Sequence, residues 1–234
     1  HKSEEGNIIV NLGSLGEKVL LRADNTSIYI TQDIYLAVLR YKDFKMDKMV
    51  YIVGSEQIHH FKVLFKILKL LNYKFAKNYY HLPYGMIYLP EGKMKSREGR
   101  VVDADSLLDE MHNLAKKEIK KRYKRIHLKE LEKRSEIIAQ SAVKFFLLKF
   151  DPLKDFIFSP EQSISFEGDT GPYIQYTHAR ANSILKKTRT FKPNYYFTEE
   201  IEHKIISHLS KFQKIIKEAA EKYKPHLITH YSLD

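Results

Sequence analysis

Three groups of side chains in this sequence have types and spacings that can do chemistry. The strip PEGKMKSREGRVV, residues 90–102, sets Lys93, Lys95, Arg97 and Arg100 around Gly92 and Gly99 with almost nothing to bury. Cations on a glycine-flanked loop can close onto phosphates and stabilise charge building on a leaving group. A solvated basic turn has the same composition. SIYITQD places Tyr29 and Asp33 four residues apart, so both can reach one ligand where a strand runs into a helix. A carboxylate there can accept paired hydrogen bonds from a guanidinium, which an ammonium cannot reproduce. Equally, Asp33 can be an acid favoured by the dipole of a helix's first turn, with Tyr29 packing on a sheet. VGSEQIHHF supplies Gly54, Gln57, His59 and His60. The paired histidines suggest a metal ion. With no cysteine in the chain and no acidic partner at ligand spacing, no protein-bound metal is expected.

The elements that must position these groups fall into two halves. KVLLRA (18–23) reads as a short strand before the turn pair Asp24-Asn25, and TQDIYLAVLRY (31–41) as a helix capped by Thr31. KMVYIVG (48–54) is a β-branched run stopped by Gly54, expected to be buried on both faces. The segment 55–73 carries one helical stripe of Phe61, Leu64, Phe65, Leu68 and Leu71, and a second of Val63, Ile67 and Leu70. NYYHLPYGMIYL returns to strand character. This alternation predicts a parallel α/β sheet, whose ligands lie at the carboxyl ends of its strands. Beyond about residue 104 only helices are expected. They fall at 105–125, opened by Ser106 and Asp109, then at 135–150, 172–188 and 198–223, with a further pattern starting in HLITHYSLD.

Composition narrows the partners. The 234 residues are 43% hydrophobic and 12% aromatic, which excludes a disordered chain, and the formal net charge of +11 favours a polyanion. No apolar run reaches the roughly 20 residues a membrane helix needs, and no membrane partner is expected. HKSEEGNIIV is neither a signal nor a transit peptide, so a cytoplasmic location is expected. KKEIKKRYKR (116–125) reads either as a solvated helix end or as a contact to a nucleic-acid backbone.

Four blocks, LLRADNTSIYITQDIYLA, DKMVYIVGSEQIHHFKVLFKILKLL, YGMIYLPEGKMKSREGRVV and GDTGPYIQYTHARANSIL, together resemble the arginyl-tRNA synthetases, a class I aminoacyl-tRNA synthetase family, in that family's order. The resemblance implies the C-terminal part of a Rossmann-like catalytic domain over residues 1–133 and a helical anticodon-binding domain over 134–234. It also implies ATP-dependent activation of arginine, with ATP and Mg²⁺ as the substrate complex, and transfer to tRNA-Arg by a monomeric enzyme. GKMKSREG is similar to the lysine-rich signature KMSKS. Lys93 matches its first lysine, implying a pyrophosphate contact, and Lys95 and Arg97 are the further candidates for catalytic cations. The fourth signature position here is Ser96, and Lys95 stands where serine is usual. Asp33 and Tyr29 would hold the arginine guanidinium and Gln57 the α-amino end. Gly54, His60, Met86, Met94 and Ser96 would border ATP, although Met86 in an apolar strand also fits plain core. On the GPYIQYTHAR helix, Tyr173, Gln175, Tyr176 and Arg180 fit either stacking on unpaired bases or a domain interface.

The second class I signature, the tetrapeptide HIGH, does not occur in the sequence, and the chain does not begin with Met. It is therefore expected to be an internal piece of the enzyme, truncated at both ends and inactive alone. A non-catalytic tRNA-binding protein derived from a synthetase is the alternative.

Overall fold

A computed structural model of the protein describes residues 1–88, 103–188 and 195–234. They divide into two units, His1–Gly85 and Met86–Asp234.

In the first unit, β1 (Ile8–Asn11) and β2 (Glu17–Leu21) form an antiparallel hairpin, and α1 spans Tyr29–Phe44. Then β3 (Met49–Gly54), α2 (Ile58–Leu70) and β4 (Tyr79–Tyr84) make a βαβ unit with β3 and β4 parallel, Met49 opposite Tyr79 and Gly54 opposite Tyr84. The parallel pairing expected from the alternation is thus present at β3–β4. The KVLLRA run does not join it, because its neighbour in sequence, IIVN, is close enough for a tight hairpin. Both stripes of α2 are used except at their ends: Phe61, Val63, Leu64, Ile67 and Leu68 are buried with Ile30 and Ala37 of α1 and Tyr79 of β4, while Leu70 and Leu71 are exposed. Strand β3 is not buried on both faces, since Ile52 is 68% exposed. Helix α1 starts two residues before Thr31, at Tyr29. Thr31 does not cap it; its hydroxyl donates to the Leu20 carbonyl and ties α1 to β2.

In the second unit, β5 (Ile87–Tyr88) pairs in parallel with β6 (Phe156–Ile157), a strand not expected from the sequence beyond residue 104. Two residues are too few to show a period of two. Helices α3 (Ala104–Arg122) and α4 (Leu128–Leu148) pack along a seam of small and flexible residues, with Met111, Ala115, Ala139 and Ala142 buried against Phe146 and Phe158. Ser106 and Asp109 do not open α3, which begins at Ala104 behind Asp103 with no side-chain cap. Short α5 (Pro160–Ser163) leads to α6 (Gly171–Lys187), where the Thr170 hydroxyl accepts from the Tyr173 amide.

The helix expected over 198–223 is two, α7 (Glu200–Ser210) and α8 (Phe212–Lys222), followed by α9 (His226–Tyr231). The break coincides with a long-range contact. The Tyr231 hydroxyl donates to the His208 carbonyl at 3.0 Å, and the Lys211 amide closes a tight turn onto the same oxygen. Among the described residues no helix is long and apolar enough to cross a membrane.

Candidate functional site

The carboxyl end of β3 and the turn after it carry three of the described candidate residues, Gly54, Gln57 and His60. Gly54 ends the strand, a single 3₁₀ turn runs through Ser55–Gln57, and Gln57 is the exposed residue before α2. A Cβ at Gly54 would collide with the Glu56 carboxylate, which lies over the strand end. His60 follows in the first turn of α2. Opposite it, the first turns of α1 present Tyr29, 84% exposed, and Asp33, half-buried. Asp33 and His60 meet directly, with Nε2 of His60 and Oδ2 of Asp33 2.6 Å apart. The four-residue spacing places Tyr29 and Asp33 on one side of α1. It gave no sign of the contact to His60, 27 residues on, which only the α1–α2 packing creates.

The side chains next to this pair are aromatic, with the Phe61 ring edge-on to His60 at 5.6 Å. Tyr51 of β3 packs on Phe61 and Phe65 of α2, with ring centroids 4.9 and 5.9 Å away. Phe61 stacks on His81 at 4.3 Å, and His81 in turn bonds the Val53 carbonyl at 3.0 Å. Burial pushes the Tyr51 phenol above its ordinary range; the Arg40 guanidinium opposes the shift and the Asp33 charge adds to it.

Met86, placed near the adenine by the resemblance, belongs to the second unit. Its backbone amide donates to the Asp155 carboxylate at 2.7 Å and its carbonyl accepts from the Phe156 amide. Its side chain is half-buried. Lys93, Met94, Lys95, Ser96 and Arg97 lie outside the described residues. Among those that are described, no three His, Asp or Glu side chains gather closely enough to hold a metal ion.

A second feature, in the other unit, is the turn between α3 and α4. Lys120, Tyr123, Lys124, Arg125 and His127 line a cavity of about 770 Å³ with no acidic side chain among the described residues of its wall. The nearby acids are engaged elsewhere. Glu118 holds Lys121 and Arg122, Glu130 holds Arg134 at 2.7 Å, and Glu132 holds Lys116 at 2.8 Å. These cations hold all three carboxyls below the usual carboxylate range. Lys124 and Arg125 form no ion pair among the described residues.

Of the α6 candidates, Gln175 reaches across to the Ile137 carbonyl of α4 at 3.4 Å, a role in helix packing. Tyr173 and Tyr176 remain exposed, with the Arg180 guanidinium 5.6 Å from the Tyr176 ring. Gly171, not singled out by sequence, brings the start of α6 so close to α4 that a Cβ would strike the Ser141 backbone. The adjoining Pro172 and Thr170 were the available signal for a tightly set helix start.

The family model for tRNA synthetases class I (R), catalytic domain, matches residues 1–160, and that for the DALR anticodon binding domain matches residues 174–234. The chain belongs to the class I (R) tRNA synthetases. Curated relatives agree: the arginine–tRNA ligase of Treponema pallidum is 43% identical over 99% of this chain, and that of Amoebophilus asiaticus 43% identical over all of it. The chain spans about 41% of the length of either relative. Among solved structures, Thermus thermophilus arginyl-tRNA synthetase superposes with a TM-score of 0.85 at 26% identity, covering 98% of this chain and 44% of that one. A synthetase catalytic region of mixed α/β type followed by a helical anticodon-binding domain is therefore the fold class.

Proposed function

We propose that the protein carrying this chain is an arginine–tRNA ligase. Arginine's carboxylate attacks the α-phosphate of ATP, releasing pyrophosphate and leaving arginyl-adenylate. The terminal ribose hydroxyl of tRNA-Arg then attacks the acyl carbon and AMP departs. Asp33 accepts the guanidinium, Tyr29 contributes its phenol and Gln57 contacts the α-amino end. Gly54, His60, Met86, Met94 and Ser96 border ATP, which brings Mg²⁺ as part of the substrate complex. Lys93, Lys95 and Arg97 stabilise charge on the departing pyrophosphate. No covalent bond to the protein is needed, since positioning and charge stabilisation carry the chemistry.

The observation that carries this reading is the carboxylate of Asp33, set at the mouth of a βαβ unit in a chain of this family. Among the described residues, His60 is the one basic side chain bonded to it. A guanidinium is the substrate group that such an acceptor selects over an ammonium. In addition, tRNA supplies the polyanion that the +11 charge favours, with the α3–α4 cavity and the α6 aromatics as its contacts. We assign residues 1–133 to the catalytic domain and 134–234 to the anticodon-binding domain, and propose a monomeric, cytoplasmic enzyme.

ATP–pyrophosphate exchange by the full-length protein with tRNA present tests this, using each standard amino acid in turn. Exchange with arginine alone is expected; exchange driven by another amino acid overturns the assignment. The 234-residue polypeptide itself contains no HIGH tetrapeptide and is expected to give no exchange. A second reading, a tRNA binder without catalysis, would use only the net charge of +11 and the α3–α4 cavity. A pure RNA binder has no use for the Tyr29, Asp33 and Gln57 set, and it would bind tRNA without binding arginine in a calorimeter.

A further inference from the structure

The hydrogen bond between Asp33 and His60 does something the family resemblance does not assign. We propose that His60 is a positioning residue for the amino-acid substrate: it orients the Asp33 carboxylate toward the guanidinium. This rests on the reading of Asp33 as the guanidinium acceptor.

An ionised carboxylate offers about four lone-pair sites, so one N–H from His60 on Oδ2 leaves Oδ1 and a second Oδ2 site for a forked donor. Among the described residues His60 is the only hydrogen-bond partner of the Asp33 side chain. Without it, the half-buried Asp33 side chain is free to change rotamer, and arginine must order it on binding. His60 is well placed to prevent that. Its own side chain is only 23% exposed against 40% for Asp33. It is anchored through its neighbour Phe61, which stacks on His81 of β4, itself bonded to Val53 of β3. The parallel βαβ core is thus transmitted to the carboxylate through one imidazole. With a proton on Nε2, His60 is the donor and the Asp33 carboxylate the acceptor of this bond.

A residue that only bordered adenosine would, on removal, raise the KM for ATP. A residue that orients Asp33 raises the KM for arginine. In the full-length enzyme, His60→Asn and His60→Gln separate the two roles. Both are polar, but only the glutamine amide extends as many bonds from Cβ as Nε2 and so reaches Asp33. His60→Asn is expected to raise the arginine KM about tenfold, the cost of one charge-assisted hydrogen bond, and by more than any rise in the ATP KM that its place beside ATP brings. His60→Gln should restore the arginine KM to within about threefold of the parent. A rise in the ATP KM alone, or equal effects of the two variants on arginine, overturns the proposal. Asp33→Asn is the control that separates the levels. If it raises the arginine KM while His60→Asn does not, the positioning role is wrong and the guanidinium site stands. If Asp33→Asn leaves the arginine KM unchanged, both fall.

Discussion

The Tyr79 phenol is 7% exposed and donates to the Ala37 carbonyl of α1 at 2.9 Å, fastening β4 to the helix that carries Asp33. Burial first, then the nearby Tyr51, raises its pKa from 10.0 to about 12. A raised tyrosine pKa favours the neutral form in the folded state. The stabilisation it contributes is whole below pH 10.0 and is lost as pH climbs through about 12. Ultraviolet titration should find a tyrosine that ionises only near that upper value, and Tyr79→Phe should remove it and cost about 1 kcal/mol in denaturant unfolding. A titration unchanged by Tyr79→Phe would contradict this. At the residue scale the sequence was generous with types and silent on partners. Tyr29, Asp33, Gln57 and His60 stand out through spacing and through the resemblance. The Asp33–His60 bond and the Tyr79–Ala37 bond span 27 and 42 residues, and no local pattern encodes them.

Elements were legible where apolar periodicity was long. The two stripes of α2 and the VYIV run of β3 announce themselves, whereas the two-residue β6 has no period to read. Helix starts were misplaced because Thr31 and Ser106 look like caps, while the real hydroxyl of Thr31 is occupied by the Leu20 carbonyl. The break between α7 and α8 coincides with the contact from Tyr231, more than twenty positions away, and the apolar spacing runs straight through it.

Two predictions belong at this scale. Gly171→Ala should force α6 away from the Ser141 backbone and cost about 1–3 kcal/mol, measured by chemical denaturation; a neutral change would mean the helix pair has room to spare. The second concerns α9, held to the end of α4 by His230 on the Lys149 carbonyl, Thr229 on the Leu148 carbonyl, and Lys224 with His226 around Asp151. Burial lowers the His226 pKa from 6.5; Asp151 opposes the shift, and Lys224 and His230 reinforce it. A depressed histidine favours the neutral form when folded, so its contribution is whole above pH 6.5 and is lost as pH falls through the folded value. Asp151, held down chiefly by Lys224, keeps its contribution until far more acidic pH. Hydrogen exchange of α9 amides, corrected for intrinsic rates, should accelerate as pH falls from about 7.5 to about 5. Constant protection would contradict the coupling.

At the scale of the whole molecule, 40 Lys and Arg residues against 29 Asp and Glu make salt a direct probe. Replacing Lys124 and Arg125 by Glu should weaken tRNA binding by the full-length protein and flatten its dependence on log salt by about one unit for each phosphate no longer neutralised. An unchanged slope would assign that turn to solvent. The central claim concerns which amino acid is recognised, and one number tests it. The arginine KM of the full-length enzyme carrying Asp33→Asn should rise on the order of a hundredfold, as expected when a charged acceptor of a guanidinium is removed. An arginine KM equal to that of the parent would place the guanidinium elsewhere and contradict the account.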